Sequence, residues 1–159
     1  MNFMQMRKIV ARELLNYRRS KERLYAFEQR GLRQRATCGT ALNGRTTDPT
    51  AGSALALLDP PPHIRKIKGW IWSIEQAHAM LQEWTPDRAR LMVRLYGLDG
   101  APPAVRNPGW RVYMMDEFNV SEPTLYRWRE DILQAVLAGA IQARVLMPYE
   151  QKEMTAKLG

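Results

Sequence analysis

Apolar residues along this chain recur mostly at three- and four-residue intervals, the spacing of one face of an α-helix. The cleanest run is Ile64, Ile67, Ile71, Ile74, His78 and Leu81, a three-four alternation that marks the seam of a helix packing along another helix. Trp70, Trp72 and Trp84 flank it and are expected to pack. A second stripe, Leu125, Trp128, Ile132 and Val136, follows a strong helix start. Residues 7 to about 35 form a third expected helix, with Val10, Leu14, Tyr17 and Leu24 on a drifting stripe that Lys21 interrupts and Glu28 ends. So weak a seam needs a partner in water, and the central Ile-rich helix is the expected one. That central seam also offers a surface for the same helix of a second subunit, and the pattern alone leaves both open.

Punctuation between the stripes divides the chain. The Thr-, Gly- and Asn-rich stretch Ala36 to Thr47 reads as a loop. Asp48-Pro49 opens a short helix through Ala51, Ala54, Leu55 and Leu58, which Pro60, Pro61 and Pro62 stop. Thr85-Pro86-Asp87 starts a helix, with Thr85 as cap, Pro86 at the first position and Asp87 in the positive turn; it runs through Leu91, Met92 and Leu95 and ends near Gly97, with Arg88, Arg90 and Arg94 mostly on its polar side. The proline- and glycine-rich stretch Leu98 to Gly109 reads as a loop, and Pro148 breaks the last helix. The expected fold is all-α: a basic N-terminal helix and a central helix forming a hairpin or coiled-coil-like unit over 1–83, a helix-turn-helix domain over 84–147, and a charged tail over 148–159.

The segment Trp110 to Leu146 carries the most chemistry. Asn119 tolerates the left-handed backbone on which a helix often stops. Ser121 then supplies an N-cap hydroxyl, Glu122 a carboxylate in the positive first turn, and Pro123 an imide where no N–H is needed. Facing outward near this start are expected to be Ser121, Glu122, Thr124, Arg127 and, further on, Arg129. Short polar groups at the tip followed by guanidinium groups suit a helix that enters the DNA major groove end-on. Arg106, in the preceding loop, is placed to touch a phosphate.

Charge sharpens this picture. The formal charge is +8 and the sequence pI near 10.0, and most of the excess lies between Arg7 and Arg35. Such a segment suggests polyanion binding, with nucleic acid favoured over an anionic membrane. Hydrophobic residues at 45 % are enough for a core. No apolar run approaches the roughly 20 residues that span a bilayer, the N-terminus does not read as a secretory signal, and the single cysteine, Cys38, fits a reducing cytoplasm. Catalysis and metal binding find no support: there is no phosphate-binding glycine loop, no nucleophile–histidine pattern, and His63 and His78 stand without a cysteine pair. His78 reads as a core or edge residue satisfied by a hydrogen bond. The adjacent Asp116 and Glu117 point about 100° apart on a helix, which suits solvent. No catalytic residue, cofactor or metal ligand is assigned.

Several pieces occur in a familiar order: Asp48-Pro49-Thr50-Ala51 before an Ala/Leu helix, the Ile-rich helix with Trp70, Arg94-Leu95-Tyr96-Gly97, and SEPTLYRWREDIL from Ser121 to Leu133. Together they resemble the phage transcriptional activators of the RinA type, relatives of the ArpU regulators of late genes. The last piece is also similar to region four of sigma factors. The resemblance covers roughly residues 45 to 146, and Thr124-Leu125-Tyr126-Arg127-Trp128-Arg129 is its most specific part. It implies a sequence-specific, double-stranded-DNA-binding protein that helps bacterial RNA polymerase in the host cytoplasm. It places DNA contacts on Ser121, Glu122, Thr124, Tyr126, Arg127 and Arg129; Arg111 and Arg106 are further candidate contacts outside the resemblance. Two features depart from the pattern: the long proline-rich loop before the motif, and Glu122 where such modules often carry a basic residue. A single helix-turn-helix makes few base contacts, so dimerisation or help from polymerase is expected, with Ile64, Ile67, Ile71, Ile74 and Leu81 as the candidate self-association surface, which packing within the chain explains equally well. The alternative is a small terminase subunit that recognises packaging DNA and assembles into rings. A third reading is a protein-interaction module, such as an antagonist of host polymerase, that recognises no DNA sequence.

Overall fold

The computed structural model describes residues 1–40 and 59–148. Among them the chain is helical, with six α-helices and one 3-10 turn: α1 (Phe3–Leu15), α2 (Tyr17–Thr40), α3 (Pro62–Trp84), α4 (Pro86–Tyr96), the 3-10 turn (Ala104–Arg106), α5 (Trp110–Phe118) and α6 (Glu122–Gln142). The all-α expectation holds. The expected helix over 48–58 and the tail from 149 onward lie outside the described residues. By packing, the chain groups into one unit of residues 1–18 with 69–159 and a second of residues 19–68. The sequence instead drew its boundary after residue 83. Each unit is described by itself.

The first unit begins with a capping box. The Asn2 side-chain oxygen accepts the Gln5 backbone N–H at 2.9 Å, and the Gln5 side chain accepts the Asn2 backbone N–H at 3.1 Å. The N-terminal helix therefore starts at Phe3, ahead of the expected Arg7. It also does not run unbroken to residue 35. Asn16 interrupts it, and the chain resumes as α2, which continues to Thr40, into what the sequence suggested was loop. Val10 and Leu14 of α1 are fully buried, and α1 packs on α6. The N-terminal helix is thus built into the same core as the C-terminal helix pair.

That core gathers Trp70, Ile74, Ala77 and Leu81 from α3, Leu91, Met92 and Leu95 from α4, Trp110 and Met114 from α5, and Leu125, Ile132, Val136 and Ala140 from α6. Each large side chain so buried contributes roughly 1.5–3 kcal/mol of transfer free energy. Along the Ile-rich seam Ile64, Ile71, Ile74 and Leu81 are buried, and Ile67 and His78 half-buried. Of the flanking tryptophans Trp70 is buried, Trp72 is 39 % exposed and Trp84 is 76 % exposed.

Close approach of α6 to α3 depends on glycine. A Cβ on Gly139 would sit 3.1 Å from the Ser73 Cα, and one on Gly69 would collide with Val145, just beyond the end of α6. The buried Ser73 hydroxyl is satisfied by donating to the Gly69 carbonyl at 2.7 Å. Helix α4 starts with Pro86 at its first position as expected, but Thr85 does not cap it: the Thr85 hydroxyl is buried and has no partner among the described residues. Gly97 ends α4 in the left-handed region at φ 64°. Helix α6 stops at Gln142, earlier than Pro148, and Arg144 takes a left-handed conformation at φ 58°.

The second unit contains the rest of α2 and the start of α3. Arg65 pairs with Asp59 at 2.6 Å just ahead of α3. Among the described residues, no helix is long and apolar enough to cross a membrane.

Candidate nucleic-acid interface

Three residues join α5 to α6, and each does what its chemistry dictates. Asn119 adopts φ 51°, ψ 51°, and its N–H bonds back to the carbonyls of Met115 and Asp116. The Val120 N–H also returns to the Met115 carbonyl, at 3.1 Å. Ser121 is the N-cap: its hydroxyl accepts the Thr124 N–H at 3.4 Å and lies 3.0 Å from the Thr124 hydroxyl. One of these two hydroxyls donates to the other, so a single O–H remains for an outside acceptor. Phe118 packs edge-on against Trp128 with ring centroids 6.4 Å apart, which fixes the two helices across the turn.

Helix α6 buries Leu125, Ile132, Leu133, Val136, Leu137 and Ala140. Arg127 stands two residues beyond Leu125, which on a helix turns it to the far side from that stripe, and it is exposed. Ser121, Glu122 and Pro123 at the tip are exposed as well, Thr124 is half-buried, and Tyr126 is 38 % exposed. Arg111, at the start of α5, lays its guanidinium 5.3 Å from the centre of the Tyr126 ring and 5.7 Å from that of Trp110. The N-terminal turns of the two helices are therefore joined by an arginine that remains solvent-exposed.

Not every expected residue takes its place in this group. Arg129 turns inward, correcting the outward orientation expected from the sequence. Its Nε donates to the Tyr96 hydroxyl at 3.5 Å, and its guanidinium lies 5.5 Å from the Trp110 ring centre. Burial pushes the Tyr96 hydroxyl's pKa above the ordinary 10.0, with Arg129 opposing that shift. Arg106 is exposed on the 3-10 turn, and no hydrogen bond, ion pair or ring contact joins it to the others among the described residues.

The helix bearing Arg127 is braced by ion pairs that the sequence did not reveal. Arg7 of α1 pairs with Glu130, and Arg88 of α4 pairs with Asp131 at 3.3 Å while lying 5.9 Å from the Trp128 ring centre. The remaining α4 arginines are also engaged. Arg90 bonds Asp87 and covers Phe118, and Arg94 reaches both Glu117 oxygens at 3.1 Å. Asp116 and Glu117 are both exposed, as expected, and Glu117 also pairs with Arg94. Nothing in the sequence assigned such roles to Trp110, Tyr96 and Glu130, although Tyr96 and Glu130 lie within the Arg94–Gly97 and Ser121–Leu133 pieces singled out there.

Comparison with known protein families, curated proteins and solved structures finds no match to this chain.

Proposed function

We propose that this protein is a sequence-specific, double-stranded-DNA-binding transcription regulator that reads the major groove with the N-terminal end of α6. The observation that carries the reading is the exposed group Glu122, Tyr126, Arg127 and Arg111, presented where two anchored helices meet at a three-residue turn. In this reading Arg127 forms paired hydrogen bonds with a guanine edge, and Glu122 accepts from a cytosine amino group. Arg111 and Arg106 hold phosphates. Tyr126 contributes a hydroxyl and an apolar ring, and the one O–H left by Ser121 and Thr124 donates to a phosphate or base. Arg129 has no reading role: it holds α6 against α4 and α5.

The resemblance to phage late activators extends the proposal: the target is a late promoter, and bacterial RNA polymerase in the cytoplasm is the protein partner. The test is selection of bound sites from random duplex DNA, followed by footprinting on the neighbouring genome. A defined motif upstream of structural genes is the expected outcome. A motif beside a packaging start would favour a terminase role, and the absence of any motif would overturn sequence-specific reading.

A further inference from the structure

The second unit carries a charged surface that α6 does not explain. On α2, Arg19, Arg23, Arg30 and Arg33 follow one another at steps of four, seven and three residues, with Ala26 in the gap. At 3.6 residues per turn these positions fall along one line, about 21 Å long at 1.5 Å per residue. All five residues are exposed, while the half-buried Leu24, Phe27, Glu28 and Gly31 lie on a different face. Arg19, Arg23 and Arg30 form no ion pair with a described residue, whereas Arg33 already has an interaction within the chain.

We propose that this arginine stripe is a second, sequence-independent surface that binds the phosphate backbone of duplex nucleic acid. Every cation on the line is arginine, whose planar fork matches a phosphate's oxygens where lysine offers only a point charge. The line is long enough to reach phosphates on both sides of a major groove, which is about 12 Å wide. The stripe itself holds no aromatic ring on which an unpaired base would stack, so a duplex fits it better than a single strand. A membrane surface fits poorly: the exposed large apolar side chains of α2 are Tyr25 and Leu32, too few for a helix face that embeds among lipids.

The test uses the full chain and a random-sequence duplex, so it does not depend on whether α6 recognises a motif. Replacing Arg19, Arg23, Arg30 and Arg33 with Gln is expected to lower the slope of log affinity against log salt by roughly 3–4, at about 0.9 per lost phosphate contact. A charge-matched variant with Lys8, Arg12, Lys66 and Arg144 replaced by Gln is expected to keep most of the slope. Should the fourfold stripe variant lose helix content, the pairs Arg19/Arg23 and Arg30/Arg33 read the same change in two halves. An unchanged slope would overturn the proposal, as would an equal loss in the charge-matched variant. So would a stripe variant that keeps its duplex affinity but loses binding to anionic phospholipid vesicles. If the reading at α6 fails instead, no motif is selected while the slope change persists.

Discussion

Replacing Arg129 with Ala separates a stabilising arginine from a reading one. In the wild-type protein the Arg129 Nε donates to the hydroxyl of Tyr96, a residue only 2 % exposed, and the guanidinium lies over Trp110. Truncation leaves that buried hydroxyl without its donor, a loss of roughly 1–3 kcal/mol. It also removes a partly desolvated cation–π contact of roughly 0.5–2 kcal/mol. The hydrogen bond is long at 3.5 Å, so the lower part of each range applies, and the expected destabilisation is about 2 kcal/mol in total. Urea denaturation followed by tryptophan fluorescence should show a lower midpoint with an unchanged slope. Arg127→Ala is the comparator: its side chain is exposed, so stability should stay within about 0.5 kcal/mol, while specific DNA binding falls by roughly 1–3 kcal/mol. An Arg129→Ala protein with the parent's midpoint but no specific binding would refute the inward assignment and return Arg129 to the DNA.

Three further outcomes follow from the packing. Tyr96 has its hydroxyl pKa raised by burial, so its neutral form stabilises the fold below pH 10 and that contribution is lost as pH rises through the folded-state value. Tyr96→Phe should therefore flatten the alkaline fall in stability above about pH 10 measured by denaturation, and a fall as steep as the parent's would count against the buried hydroxyl. Gly139→Val places a branched side chain where even a Cβ lies 3.1 Å from the Ser73 Cα, and should cost about 1–3 kcal/mol by thermal melting; a neutral result would mean that α3 and α6 do not approach so closely. Asn119→Val forces a β-branched residue to φ 51° and should cost roughly 1–3 kcal/mol, whereas Asn119→Gly should be close to neutral. Equal melting temperatures for the two would argue against the left-handed turn.

What could be read from the chain was local in origin. Asn119, Ser121 and Pro123 act within a few residues of themselves, and Gly97 and Pro86 bound α4 for the same reason. The three-four alternation from Ile64 to Leu81 likewise announced α3, because one buried face is enough to write the period into the sequence. The misread features depend on distant partners. Arg129 points inward because Tyr96, 33 residues earlier, puts a hydroxyl within its reach. The expected capping by Thr85 fails although the sequence suits it, since its hydroxyl is buried away from the helix N–H groups. Asn16 breaks a stretch of good helix formers, and its low helix propensity alone is too weak a signal to place that break. The basic N-terminal segment is also divided in use: Val10 and Leu14 tie α1 into the core, and Arg7 braces α6. Deleting residues 1–35 would therefore damage the fold along with any DNA contact.

The most direct test of the reading by α6 is selection from random duplex DNA run in parallel on the parent protein and on Arg127→Ala. The expected result is a defined motif for the parent and the same motif with its preference relaxed at one base pair, usually a guanine, for the variant. An identical motif from both proteins would contradict the role given to Arg127, and no motif from the parent would contradict the central claim itself.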